Sequence, residues 1–188
     1  DVIYTKAGTE IAVATTKGYT TQLLILYLLA LYLADIKGTL QNGERFINEL
    51  KSLPQKTEKI LKNADYIKKL AKQAGKIKSV FFIGRNTDYA TCLEGSLKLK
   101  EISYINSEAY AAGELKHGAI SLIEDGTPVM AVITNKKLLK KTESNIKEVK
   151  SRGAQVLAVL RESDKKIYTL FDKVIFVPDT NDLFMPLL

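Results

Sequence analysis

The longest apolar block in the chain is Leu23 to Ala34, LLILYLLALYLA, a run of twelve residues. Wound at 3.6 residues per turn, its apolar positions cover nearly the whole circumference. The pattern predicts a helix over Thr20–Ile36, buried on most sides, with Lys37 as a basic last turn and Gly38 as its C-cap. The run falls short of the roughly 20 residues that a bilayer crossing needs, so no membrane span is expected. Asp1–Tyr4 reads as the tail of a strand, followed by a loop through Gly8. Asn42–Leu50 predicts a short amphipathic helix. Pro54 suits the first turn of another, and Ile60, Leu61, Ala64, Ile67, Leu70 and Ala71 recur at helical spacing from there to Gly75.

From residue 79 the period shortens. Ser79–Ile83, SVFFI, is continuous, rich in β-formers and too short for a helix, which predicts a strand buried on both faces. A helix over Tyr89–Tyr104 follows, then a loop-rich stretch to Ile123. Pro128–Thr134 is a second strand and leads into a basic amphipathic helix ending at Arg152-Gly153. Ala154–Leu160 and Lys173–Val177 are third and fourth strands. Alternating strands and helices predict an α/β fold, a three-layer αβα arrangement around a parallel sheet. A final helix should cover the last strand, and the sequence reads as truncated before it. Asp1-Val2-Ile3-Tyr4, with no initiator Met and no basic leader, likewise reads as the start of a segment of something longer.

Composition narrows the class. Across 188 residues, 46% are hydrophobic and 26% charged, ordinary values for a globular domain and too apolar for disorder. Cys92 is the only cysteine, so no disulfide framework exists and a cytoplasmic, reducing setting is expected. One Cys and one His make no typical zinc site, so no metal is expected. The net charge of +7 is local, because residues 51–80 hold nine lysines against Glu58 and Asp65. That stretch has no arginine and one aromatic, Tyr66. It therefore reads as a solvated helix face, or more weakly as a surface for an acidic partner, and not as a nucleic-acid reader.

Ligands of open parallel sheets bind at the carboxyl ends of the strands. The first strand ends at Gly84-Arg85-Asn86-Thr87, which is neither a Walker loop nor a GxGxxG turn. On the following helix Glu94, Lys98 and Glu101 are spaced i, i+4, i+7 and share a face. Beside them Ala90, Leu93, Leu97 and Tyr104 form an apolar stripe that should be the buried one. A carboxylate bordering it would be partly desolvated and fit for general-base work, although a plain ion-pair ladder has the same spacing. His117, the sole histidine, lies between Gly113 and Gly118. It suits either a proton shuttle or an ordinary surface position. Cys92 reads as a buried small hydrophobe.

Two segments carry a resemblance. They are Ala7–Leu23, AGTEIAVATTKGYTTQL, and Leu93–Gly118, LEGSLKLKEISYINSEAYAAGELKHG. Both resemble the isomerase half of the glucosamine-6-phosphate synthases, the glutamine–fructose-6-phosphate aminotransferases, and the likeness runs along the whole chain. It implies sugar-isomerase (SIS) domains, each a parallel five-stranded sheet between helices. Residues 1–40 would be the tail of a first such domain with a connecting helix, and residues 41–188 a second one, incomplete at its C-terminus.

The implied reaction makes glucosamine 6-phosphate from fructose 6-phosphate and glutamine-derived ammonia, without a cofactor. By resemblance Glu101 is the base that carries the proton from C1 to C2. Lys98 tunes that carboxylate. His117 is the ring-opening acid–base group, reaching the site of the neighbouring subunit in a homodimer. Val13, Ala14 and Thr15 line the sugar pocket. Thr15 stands where the family usually has Ser, and Asn106 where it commonly has His. The glutaminase domain, the phosphate-holding loops of the first SIS domain and the tail with the Schiff-base lysine are not in this sequence. An isolated chain of this kind is expected to be inactive. Two other readings are a deglycase of fructosamine phosphates and a non-catalytic sugar-phosphate-binding regulatory module.

Overall fold

A computed structural model describes residues 2–73 and 77–188. Five parallel strands form one sheet in the order β2-β1-β3-β4-β5, with β1 Ser79–Gly84, β2 Asn106–Ala111, β3 Pro128–Ile133, β4 Gln155–Arg161 and β5 Lys173–Val177. Four of them are the strands expected from the apolar runs. β2 is an addition, found inside the stretch expected to be loop. Its sequence NSEAYA has no apolar run because it is an edge strand whose inward residue is polar. Ser107 is buried there, and its hydroxyl donates to the Ser96 carbonyl at 2.8 Å.

Side chains alternate across a strand, and the sheet has two different faces. On one, Val80, Phe82 and Val132 meet Cys92 and Leu99 of helix α4, Thr87–Ser103. On the other, Phe81, Ile83, Val129, Ala131 and Val156 meet Ile146 and Val149 of helix α5, Leu139–Lys150. Ala112, Leu115 and Ile123, which follow β2, pack on this second face. Full burial of a residue such as Ile83 or Ile146 contributes about 1.5–3 kcal/mol. Gly84 is a point of contact between layers. A Cβ there would stand 2.6 Å from the Asp88 carbonyl carbon, so only glycine lets α4 begin so close to the strand.

The N-terminal third departs most from expectation. Among the described residues before β1 there is no strand, and Val2 to Tyr4 are exposed. Helix α1, Lys17–Ile36, forms as the apolar run predicts, but none of its residues is buried. By length and composition alone it is also apolar enough to cross a bilayer, since Thr20 to Gln22 extend the twelve-residue run without adding charge. It touches the remainder mainly through Tyr27, whose ring meets Phe184 edge-on at 5.2 Å. Helix α2, Gly43–Leu61, passes through Pro54 without stopping, so the expected break there is absent. The break falls at Lys62-Asn63, before helix α3, Ala64–Gln73. The predicted helix end at Gly75 lies outside the described residues. After β5 the chain forms a single turn, Met185–Leu187.

Candidate functional site

The charged row on α4 forms as its spacing requires. Lys98 Nζ donates to Glu101 Oε2 at 2.6 Å and lies 3.5 Å from Glu94 Oε1. The three side chains are partly screened, with exposures of 19% for Lys98, 23% for Glu94 and 29% for Glu101. The Glu101 hydrogen bond, with help from Glu94, holds the Lys98 ammonium above its ordinary pKa, so it stays charged. A permanent cation between two carboxylates is suited to steering negative charge that develops on a bound oxygen.

The surroundings of the row differ from expectation. Leu93 and Leu97 are 48% and 43% exposed, and Tyr104 is 91% exposed. The buried stripe is Asp88, Cys92 and Ser96, a mixed set that hydropathy alone does not single out. Cys92 is fully buried as expected, and burial pushes its thiol up to about 12, which leaves it inert. Thus the row sits at the rim of an open apolar strip on α4, and the strip faces away from the sheet.

The segment before α1 folds back onto the first turn of that helix. Glu10 accepts from Gly18 N at 3.3 Å, and Lys17 Nζ donates to the Thr9 carbonyl at 2.5 Å, which folds the loop onto the start of α1. Within it Ala14 is buried, while Val13 and Thr15 are exposed. Tyr19, four residues beyond Thr15, is raised in pKa by burial and then by the charge of Glu94. Val13–Thr15 therefore lie just before the helix start whose Tyr19 feels the charge of Glu94.

His117 is elsewhere. It ends the turn Leu115–His117, is exposed, and lies on the face of the sheet opposite α4. Glu101 is near the level of Ser79 and Asn106, where β1 and β2 begin, whereas His117 follows Ala111, where β2 ends. Six strand residues separate those levels, a rise of roughly 20 Å. Within one chain the sheet stands between the two candidate proton-transfer groups.

A concavity opens at the carboxyl edge of the sheet, beside Asn86 and Thr87 at the end of the first strand, where the strand order reverses between β1 and β3. This is where ligands enter such folds. It encloses about 690 Å³ between Arg45, Asn86, Asn135, Lys137, Arg161 and Asp182. Much of its charge is spent internally. Buried Arg161 donates to the Thr134 and Thr180 carbonyls and to Asp182, and Lys136 pairs with Asp179 at 3.1 Å. Asp88 is likewise occupied, accepting from Thr134 N at 2.9 Å, from the Thr134 hydroxyl and from Asn135 N at 3.1 Å. Among the described residues no cluster of His, Cys, Asp and Glu is arranged to hold a metal ion.

Comparison with known proteins identifies the family to which the fold belongs. The chain is 53% identical over 190 aligned positions to the isomerising glutamine–fructose-6-phosphate aminotransferase of Clostridium tetani. It is 52% identical to that of Caldanaerobacter subterraneus. All of this chain is matched in each case, but it spans only 31% of those relatives' length. Among solved structures, the C-terminal domain of glucosamine-fructose-6-phosphate aminotransferase from Francisella tularensis superposes with a TM-score of 0.92 at 37% identity. That match covers 97% of this chain and 52% of the other. Residues 75–182, more than half of the chain and all five strands of its sheet, match the SIS domain, and the chain belongs to the SIS domain family.

Proposed function

We propose that this chain is the isomerase segment of a glutamine–fructose-6-phosphate aminotransferase and handles the sugar phosphate. Residues 1–40 are then the end of a first SIS domain with its connecting helix, and residues 41–188 a second SIS domain. The observation that carries the reading is the Glu94–Lys98–Glu101 row, with its 2.6 Å Lys98–Glu101 contact, on a chain matched along its full length by such enzymes.

In this reading the 2-imino sugar formed from fructose 6-phosphate and ammonia lies along the row. Glu101 takes the proton from C1 and returns it to C2, while the imine nitrogen gains a proton and the C1 hydroxyl loses one to give the aldehyde, so the carboxylate is regenerated and no redox partner is needed. Lys98 stays charged throughout and stabilises the enolamine-like intermediate through its oxygen. Val13–Thr15 present backbone groups to the sugar. His117 opens the ring. Because the sheet separates it from Glu101 in one chain, His117 acts in the site of a second copy, which makes the working form a homodimer. A role on a phosphorylated sugar metabolite, with Cys92 as the only cysteine, supports a cytoplasmic setting.

Glu101→Gln in the full-length enzyme carrying this segment is the test. Gln keeps size and hydrogen bonding but accepts no proton. Glucosamine 6-phosphate formation should fall by about 10²-fold or more, with glutamine hydrolysis retained. Product formation within a few-fold of the parent would reject the assignment.

A further inference from the structure

Arg85 leaves the carboxyl end of β1 and turns away from the neighbouring cleft, which it does not line. Its Nε and Nη2 both donate to Oδ1 of Asn145, at 3.1 and 2.8 Å. Asn145 is 5% exposed on the inner side of α5, and its Nδ2 donates to Glu148 Oε2 at 3.2 Å. Both ends of that carboxamide are engaged. Freeing the guanidinium would leave a buried carbonyl unpaired, a loss the fold resists.

The other side of the guanidinium rests on Gly113. A Cβ there would stand 2.8 Å from Nη2, 3.2 Å from Nη1 and 3.3 Å from Cζ. The need for glycine is one of space. Gly113 opens the turn that ends in His117. Ala112 N donates to the Gly84 carbonyl at 2.8 Å, Glu114 N to Ala111 at 2.8 Å, and His117 N to Glu114 at 3.0 Å. Leu115, 2% exposed, anchors the turn from below. An unbroken line of contacts therefore runs from α5 through Arg85 to the histidine-bearing turn.

We propose that Arg85 is a positioning residue for His117. Asn145 locks its guanidinium in place, and the Nη end packs against Gly113 and sets the direction in which the turn presents the imidazole. A lysine would not serve, because one ammonium lacks the rigidly spaced donors that engage Asn145 and reach Gly113 together. The inference rests on His117 being the acid–base group of the proposed function.

His117 is the only histidine, so histidine labelled with ¹³C gives one Cε1–Hε1 signal from the 188-residue chain. Arg85→Met and Gly113→Ala should each shift that signal by more than its width, or split it. In the double variant the added methyl meets no guanidinium, so Gly113→Ala should move the signal no further than Arg85→Met alone. Should Arg85→Met fail to fold, Asn145→Leu reports instead, since it releases the guanidinium and puts an apolar side chain beside Ile146 and Val149 on the inner side of α5. An unmoved signal in Arg85→Met or Asn145→Leu, or equal displacement by Gly113→Ala with and without Arg85, overturns the proposal. The readout is position and not turnover. If His117 is not the acid–base group, its substitution leaves ring opening intact while these shifts persist.

Discussion

At the scale of the residue, Asp88 holds two layers together. It is 3% exposed at the start of α4 and takes three donors from the end of β3. Burial raises its pKa from the ordinary 3.8 more than those donors and Arg161 lower it. The folded state therefore keeps the proton to higher pH than the unfolded chain. Asp88 costs stability as pH climbs from that ordinary value through the folded pKa, and the cost levels off above. Asp88→Asn should abolish this slope and change stability at neutral pH by less than about 1 kcal/mol. Its oxygen can accept from both backbone amides while its amide donates to the Thr134 hydroxyl. Asp88→Ala orphans the buried Thr134 N–H and the half-buried Asn135 N–H and should cost about 2–4 kcal/mol. Urea unfolding of both variants between pH 3 and pH 8 is the check. None of this was legible in the sequence, where an acidic residue after a strand is unremarkable. The Glu94–Lys98–Glu101 row was legible, because i, i+4, i+7 spacing dictates a shared face whatever else the helix does.

At the scale of the element, continuous apolar runs announced four strands, and β2 escaped because Ser107 reaches the Ser96 carbonyl and not a hydrophobic layer. On α4, Leu93 and Leu97 pointed to a buried face, yet they lie outward. Hydropathy reports which side chains are costly to expose and does not say which surface covers them. Helix α2 misled for another reason. Proline favours first turns but is not confined to them, and α2 runs on through Pro54 with Leu53 buried beside it. An interior proline forfeits one helical hydrogen bond and crowds the preceding turn. Pro54→Ala should therefore raise stability by about 1–3 kcal/mol, seen as a higher thermal midpoint. A lowered midpoint would mean that α2 needs the bend proline imposes.

At the scale of the whole molecule, the sheet and its two covered faces form a self-sufficient body, while α1 remains outside it. Leu26, Tyr32, Leu33 and Ile36 are each 48–64% exposed. So large an apolar surface seldom stays in water. The 188-residue chain should self-associate at micromolar concentration in sedimentation equilibrium, and Leu29→Asp together with Leu33→Asp should weaken that association at least tenfold. A strictly monomeric chain that binds no apolar dye would show that α1 folds back onto its own body. The sequence foretold the helix and its apolarity. It could not foretell exposure, because apolarity alone does not say which surface a helix packs against.

The placement of Glu101 and His117 on opposite faces of one sheet has a genetic consequence. Under the proposed function each catalytic centre draws its two proton carriers from different polypeptides. A full-length Glu101→Gln enzyme and a full-length His117→Ala enzyme would each be silent alone. Mixed and allowed to exchange subunits, they would form hybrids in which one centre has lost both groups and the other has regained both. With equal amounts and random pairing, about half of the dimers are hybrid and about a quarter of all centres are whole. Two dead alleles expressed together would then restore a measurable fraction of the activity, which a histidine and a glutamate serving within one chain could never do.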